Sequence, residues 1–95
     1  MSEPESGIPP RIVTIVNRRG LHARAAARFV KTAERFKAEI TVARKDAAVS
    51  GLSIMGLMML AAGPGSTLEL RASGDEAEAA LDALVKLVAD KFDED

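Results

Sequence analysis

The sequence predicts a two-layer α+β domain, with four antiparallel strands and three helices on one face of the sheet. Four short segments have the alternation or the β-branched content of strands. Three others carry the apolar spacing or the caps of helices. Their order is strand, helix, strand, strand, helix, strand, helix, which lays helices on one face of an antiparallel sheet and leaves the other to water.

Residues 1–10 are polar, acidic and Pro-containing, and read as a disordered tail. Arg11 to Val16 is rich in β-branched residues and reads as the first strand. Asn17-Arg18-Arg19-Gly20 is a polar loop ending on glycine. From Ala23 to Phe36 the residues Ala26, Phe29, Val30, Ala33 and Phe36 recur at helical spacing, while Arg28, Lys31, Glu34 and Arg35 fall off the stripe. Glu39 to Ala43 alternates, with Ile40 and Val42 on one side, and Arg44-Lys45-Asp46 turns it into a returning strand, Ala47 to Ser50.

Ser53 has the chemistry of an N-cap for a short helix, Ile54 to Leu60. Gly63-Pro64-Gly65 breaks the chain, and Thr67 to Ala72 alternates again with Leu68, Leu70 and Ala72 inward. Ser73-Gly74-Asp75 opens the last helix, whose buried side holds Ala77, Ala80, Leu81, Leu84, Val85 and Val88. The domain is expected over 11–92, with 93–95 a frayed acidic tail.

Ninety-five residues, 47% of them hydrophobic, suffice for one core. Three Phe, no Trp and no Tyr make that core aliphatic and leave no base-stacking surface. A net charge of −1 argues against a nucleic-acid binder. With no Cys and one His there is no disulfide framework and no metal-site spacing, and no cofactor motif is present. The start lacks a signal peptide, and the longest apolar run, Leu57 to Gly63, falls far short of the roughly 20 residues of a membrane span. A cytoplasmic, monomeric protein with no membrane insertion is expected.

One constellation carries chemistry. The single histidine, His22, stands at the start of the first helix, two residues before Arg24. Helix N-termini expose unpaired N–H groups and a partial positive charge, so they receive anions. The amides of Ala23, Arg24 and Ala25, the permissive backbone of Gly20 and the Arg24 guanidinium make a setting in which neutral imidazole takes a phosphoryl group and hands it on. Arg18, Arg19, Arg24 and Arg28 add positive charge that steers acidic partners.

A second constellation begins at Ser53. A short helix cannot bury every side, so Ile54, Met55 and Met58 form an adaptable Met-rich surface beside Leu57 and Leu60. A phosphate on Ser53 suits the helix dipole but puts charge on an apolar docking surface.

Gly20-Leu21-His22-Ala23-Arg24 together with Ser53-Ile54-Met55-Gly56 resembles the histidine-containing phosphocarrier (HPr) family of the bacterial phosphotransferase system, over roughly Arg11 to Phe92. The resemblance implies an open-faced β-sandwich of βαββαβα order. It implies that His22 is phosphorylated on Nδ1 by enzyme I, with phosphoenolpyruvate as the ultimate donor, that Arg24 assists, and that the phosphoryl group passes to an EIIA-type protein. Leu21, Ile54, Met55 and Met58 match the family's docking positions, and Ser53 its regulatory serine, the target of HPr kinase/phosphorylase. The protein is then a carrier, not an enzyme, serving sugar transport or regulation. Ala25 stands where the family usually has proline, Arg19 where a small polar residue is common, and the N-terminal extension is atypical. The Ala-rich motif and the Leu57–Gly63 run resemble alphaproteobacterial members of a nitrogen-related branch. The alternative is a regulatory binding module governed by Ser53 phosphorylation. Retention of His22 and Arg24 weighs against a purely serine-based role.

Overall fold

The structure, a computed structural model, describes residues 8–94. Its elements are β1 (Arg11–Thr14), α1 (Ala23–Ala33), β2 (Glu39–Arg44), β3 (Ala47–Ser50), α2 (Ile54–Met59), β4 (Thr67–Ser73) and α3 (Ala77–Ala89), followed by a final turn, Lys91–Asp93. The strands form one sheet in the order β1-β4-β2-β3 with every neighbour antiparallel. Val42 and Leu70 face each other across the central pair.

Period-2 alternation decides which strand side chains enter the core. Leu68, Leu70 and Ala72 of β4 and Ile40 and Val42 of β2 are buried, whereas Glu69 and Arg71 pair with each other on the other face. The helices close the inner face through Ala26, Phe29 and Ala33 of α1, Leu57 of α2, and Ala80, Leu81, Leu84 and Val88 of α3. The two-layer α+β architecture is the one the alternation predicts. Leu87 joins the core, while Val85 is only partly buried against it.

Boundaries differ where backbone bonding tightens. The apolar pattern carries α1 to Phe36, but it ends at Ala33 because Arg35 and Phe36 donate to the carbonyls three residues back, Thr32 and Ala33. Ile15 lies beyond β1 yet still bonds Ser66 and Gly65, so the first strand leaves the ladder by degrees.

Both expected tails need correction. Residues 1–7 and 95 lie outside the described residues, but Ile8 packs against the core rather than trailing free. The acidic end is not frayed at Glu94. Phe92 is completely buried, and Lys91, Phe92 and Asp93 hold φ of 59°, 54° and 63°. Three successive left-handed residues cost about 1–2 kcal/mol each, so tertiary contacts must hold them. Burial of the Phe92 ring is one such contact, and donation from Arg28 Nη1 to the Phe92 carbonyl is another.

Candidate functional site

The site is built where three loops meet. Gly20 turns the chain at φ +69°, and a Cβ there would lie 2.5 Å from the Ala62 carbonyl oxygen and 2.9 Å from Gly63 Cα. Only glycine fits both the conformation and the space. Leu21 N–H then donates to Ala62 O at 2.9 Å, seating this loop on the segment that leaves α2. Leu21 is 5% exposed and belongs to the core. Its place on the docking surface is therefore a correction: this backbone bond and the turn at Gly20 send the side chain inward, beside the partly exposed His22.

His22 is the N-cap of α1, extended at φ −79°, ψ −179°, and its side chain does not cap the helix. The first intrahelical bond runs from Ala26 N–H to His22 O. The amides of Ala23, Arg24 and Ala25 thus precede the helical ladder, as N-terminal amides do. The ring is 19% exposed and borders a hollow of about 210 Å³ shared with Arg19, Leu21, Ala61, Ala62 and Gly63.

One carboxylate completes the ring's setting. His22 Nε2 is hydrogen-bonded to Glu94 Oε2. A carboxylate at neutral pH only accepts, so Nε2 carries the proton and the lone pair of the neutral ring lies on Nδ1. Nδ1 has no protein partner among the described residues. Glu94 is held in turn by Asn17, whose Nδ2 donates to Glu94 Oε1 at 3.1 Å and to the Gly20 carbonyl at 2.8 Å. Asn17 is 1% exposed, and its Oδ1 is buried without a partner among the described residues. The hydrogen bond from His22 pulls the Glu94 carboxyl below the usual carboxylate range. Partial burial opposes this, and Asn17 and the positive charge of Arg19 assist.

Arg24 is exposed on the first turn of α1. Together with Arg18, Arg19, Arg28, Asp93 and Glu94 it bounds a second hollow of about 480 Å³. Neither Asn17 nor Glu94 stood out in the sequence. Asn17 reads as an ordinary loop residue, and Glu94 lies 72 residues from His22 in an acidic run.

Ser53 is the N-cap of α2, its Oγ accepting from Gly56 N–H at 2.9 Å. Ile54, Met55 and Met58 are exposed, Met55 by 70%, and so are Leu52 and Met59. Leu57 points inward. Among the described residues no group of His, Cys, Asp and Glu is placed to hold a metal ion, and no helix is long and apolar enough to cross a membrane.

The geometry has relatives. Residues 10–90 match the family model described as the PTS HPr component phosphorylation site. The chain is 48% identical over 88 residues to a phosphocarrier protein HPr of Pseudomonas aeruginosa, covering 92% of this chain and 98% of that one. It is 49% identical over 84 residues to a phosphocarrier protein NPr of Shewanella violacea, covering 88% and 92%. Among solved structures, HPr-C-His from Thermoanaerobacter tengcongensis superposes with a TM-score of 0.87 at 42% identity, covering 93% of this chain and 99% of that one. An HPr from Bacillus anthracis does so with 0.80 at 41%, covering 84% and 95%.

Proposed function

Because the chain belongs to the HPr family of phosphocarrier proteins of the phosphotransferase system, and is a carrier rather than an enzyme, we propose that His22 Nδ1 is the atom that receives and releases the phosphoryl group. The observation that carries this reading is the bond between Nε2–H and Glu94, which leaves Nδ1 as the nucleophilic nitrogen.

The step needs no proton relay. The Nδ1 lone pair attacks phosphorus, the N–P bond forms, and the bond to the donor's leaving atom breaks with its electron pair. Nε2 keeps its proton, so the phosphorylated ring gains positive character, which the Glu94 carboxylate offsets. The amides at the start of α1 and the Arg24 guanidinium take the phosphoryl oxygens. Reversal on an acceptor returns the ring to its starting state.

The donor is enzyme I, charged from phosphoenolpyruvate, and the acceptor is an EIIA-type protein, both in the cytoplasm. Relatives carry both the HPr and the NPr names, and the nitrogen-related branch fits the Ala-rich motif. Partners dock on Ile54, Met55 and Met58, whose exposure beside the His22 loop supports that role. Ser53 is the regulatory position, the target of an HPr kinase/phosphorylase. Its Oγ only accepts from Gly56 N–H, and phosphorylation puts charge at the edge of the Met surface.

Incubation with enzyme I and labelled phosphoenolpyruvate tests the reading. Wild type gains acid-labile, base-stable phosphate whose ³¹P signal is that of an Nδ1 phosphohistidine. His22→Ala gains none while keeping its fold. Arg24→Ala is charged about 10- to 100-fold more slowly, as expected for loss of one exposed donor to the transferring group. An Nε2-linked phosphate, or an unlabelled wild type beside a labelled control carrier, refutes the assignment.

A further inference from the structure

We propose that the hollow between Arg18, Arg19, Arg24 and Arg28 is a binding site for a small, multiply charged phosphate compound bearing a diphosphate or equivalent group. This hollow adjoins the one at His22, shares Arg19 with it, and is joined to it through Glu94, the hydrogen-bond partner of His22. His22 does not line it, and its far wall is the C-terminal turn with Asp93 and Glu94.

Four observations converge. The guanidinium groups come from two adjoining elements, Arg18 and Arg19 on the loop after β1 and Arg24 and Arg28 one turn apart on α1, and the entry of that loop into the helix brings them to one hollow. None of the four is in an ion pair among the described residues, although other arginines of this chain are: Arg11 with Asp82 and Arg71 with Glu69. The two carboxylates on the far wall offset only part of that charge, and Glu94 also accepts hydrogen bonds from His22 and Asn17. Four positive groups against two negative ones leave a surplus of two, the charge of a compact phosphate dianion or more.

Size and rigidity favour a small molecule. About 480 Å³ is within the range of small-ligand sites, about 300–1,000 Å³. Arg28 is tied by Nη1 to the carbonyl of the fully buried Phe92, so it is already positioned. Guanidinium groups in such a cleft match phosphate oxygens in pairs, and two linked phosphoryl groups engage more of them than one.

Titration of the unphosphorylated full chain with inorganic diphosphate at about 150 mM salt tests this, followed by calorimetry and by the arginine Nε–Hε resonances; surface charge attraction alone is strongly screened there. Binding is read without any phosphoryl donor, so its outcome is independent of whether His22 carries phosphate. The expected result is saturable 1:1 binding about tenfold tighter than orthophosphate, with the four named arginines shifting together. Arg18→Gln and Arg28→Gln should each weaken it by about five- to tenfold, whereas Arg71→Gln, on the outer face of the sheet, should not. Equal responses to diphosphate and orthophosphate, or an equal loss in Arg71→Gln, overturn the proposal. So does tighter binding of a hexaglutamate peptide, which instead marks a docking face for an acidic protein.

Discussion

Glu94 accepts a hydrogen bond from His22 Nε2 across 72 residues of sequence, and this one contact fixes which ring nitrogen is free. Its removal separates orientation from folding. Glu94→Ala should charge about three- to tenfold more slowly, the worth of one solvent-weakened, charge-assisted hydrogen bond. The ¹⁵N shifts of His22 should move from an Nε2–H tautomer toward a mixture. A slower variant with unchanged tautomer shifts assigns Glu94 a merely structural role.

The same contact sets an acid limit. The Glu94 carboxyl titrates below its unfolded value, chiefly because His22 donates to it. A depressed carboxyl contributes stability that is present above the unfolded pKa, about 4.3, and is lost as pH falls through the lower folded value. The ¹³C carboxyl signal of Glu94 should therefore have a midpoint below that of an unstructured peptide. The left-handed turn should loosen over the same window, and a midpoint at or above 4.3 contradicts this.

Gly20→Ala is the backbone test. Placing a methyl at φ +69° and 2.5 Å from the Ala62 oxygen should cost about 2–4 kcal/mol, lowering Tm by about 10 °C or more. Thermal unfolding followed by far-UV circular dichroism reads this directly. Gly63→Ala, where an added Cβ meets nothing within 4 Å, serves as the control.

Ser53 separates capping from regulation. Ser53→Ala loses the bond from Gly56 N–H and should cost about 1 kcal/mol. Ser53→Asp keeps a capping oxygen and adds charge at the positive end of α2, so Tm should hold. Affinity for enzyme I should nonetheless fall about tenfold, because the charge adjoins exposed Ile54 and Met55. Unchanged affinity in surface plasmon resonance removes the regulatory role.

The sequence made much of this legible because local patterns coincide with tertiary ones. Alternation in Thr67–Ala72 and helical spacing from Ala23 to Phe36 each report a face that the structure then buries, Val30 and Phe36 only in part. Ser53 is readable as a cap because capping is local. Leu21 is misread for the opposite reason: its direction depends on a bond to Ala62, 41 residues away. Glu94 and Asn17 escape for the same cause. No periodicity links the acidic end to the loop after β1, and the turn that joins them runs through left-handed residues that propensity disfavours.

On the proposed reading a donor and an acceptor visit this protein in turn, and each has to find His22 Nδ1 in the same place. The bond from Leu21 to Ala62 and the close approach of Gly20 to Gly63 make the loop bearing His22 and the strip following α2 behave as a single casting. On that same reading, a visitor that grips the methionine surface finds the imidazole in place without remoulding it. Unrelated proteins need share only a matching imprint, and little entropy is spent at each visit in bringing the reactive atom to hand.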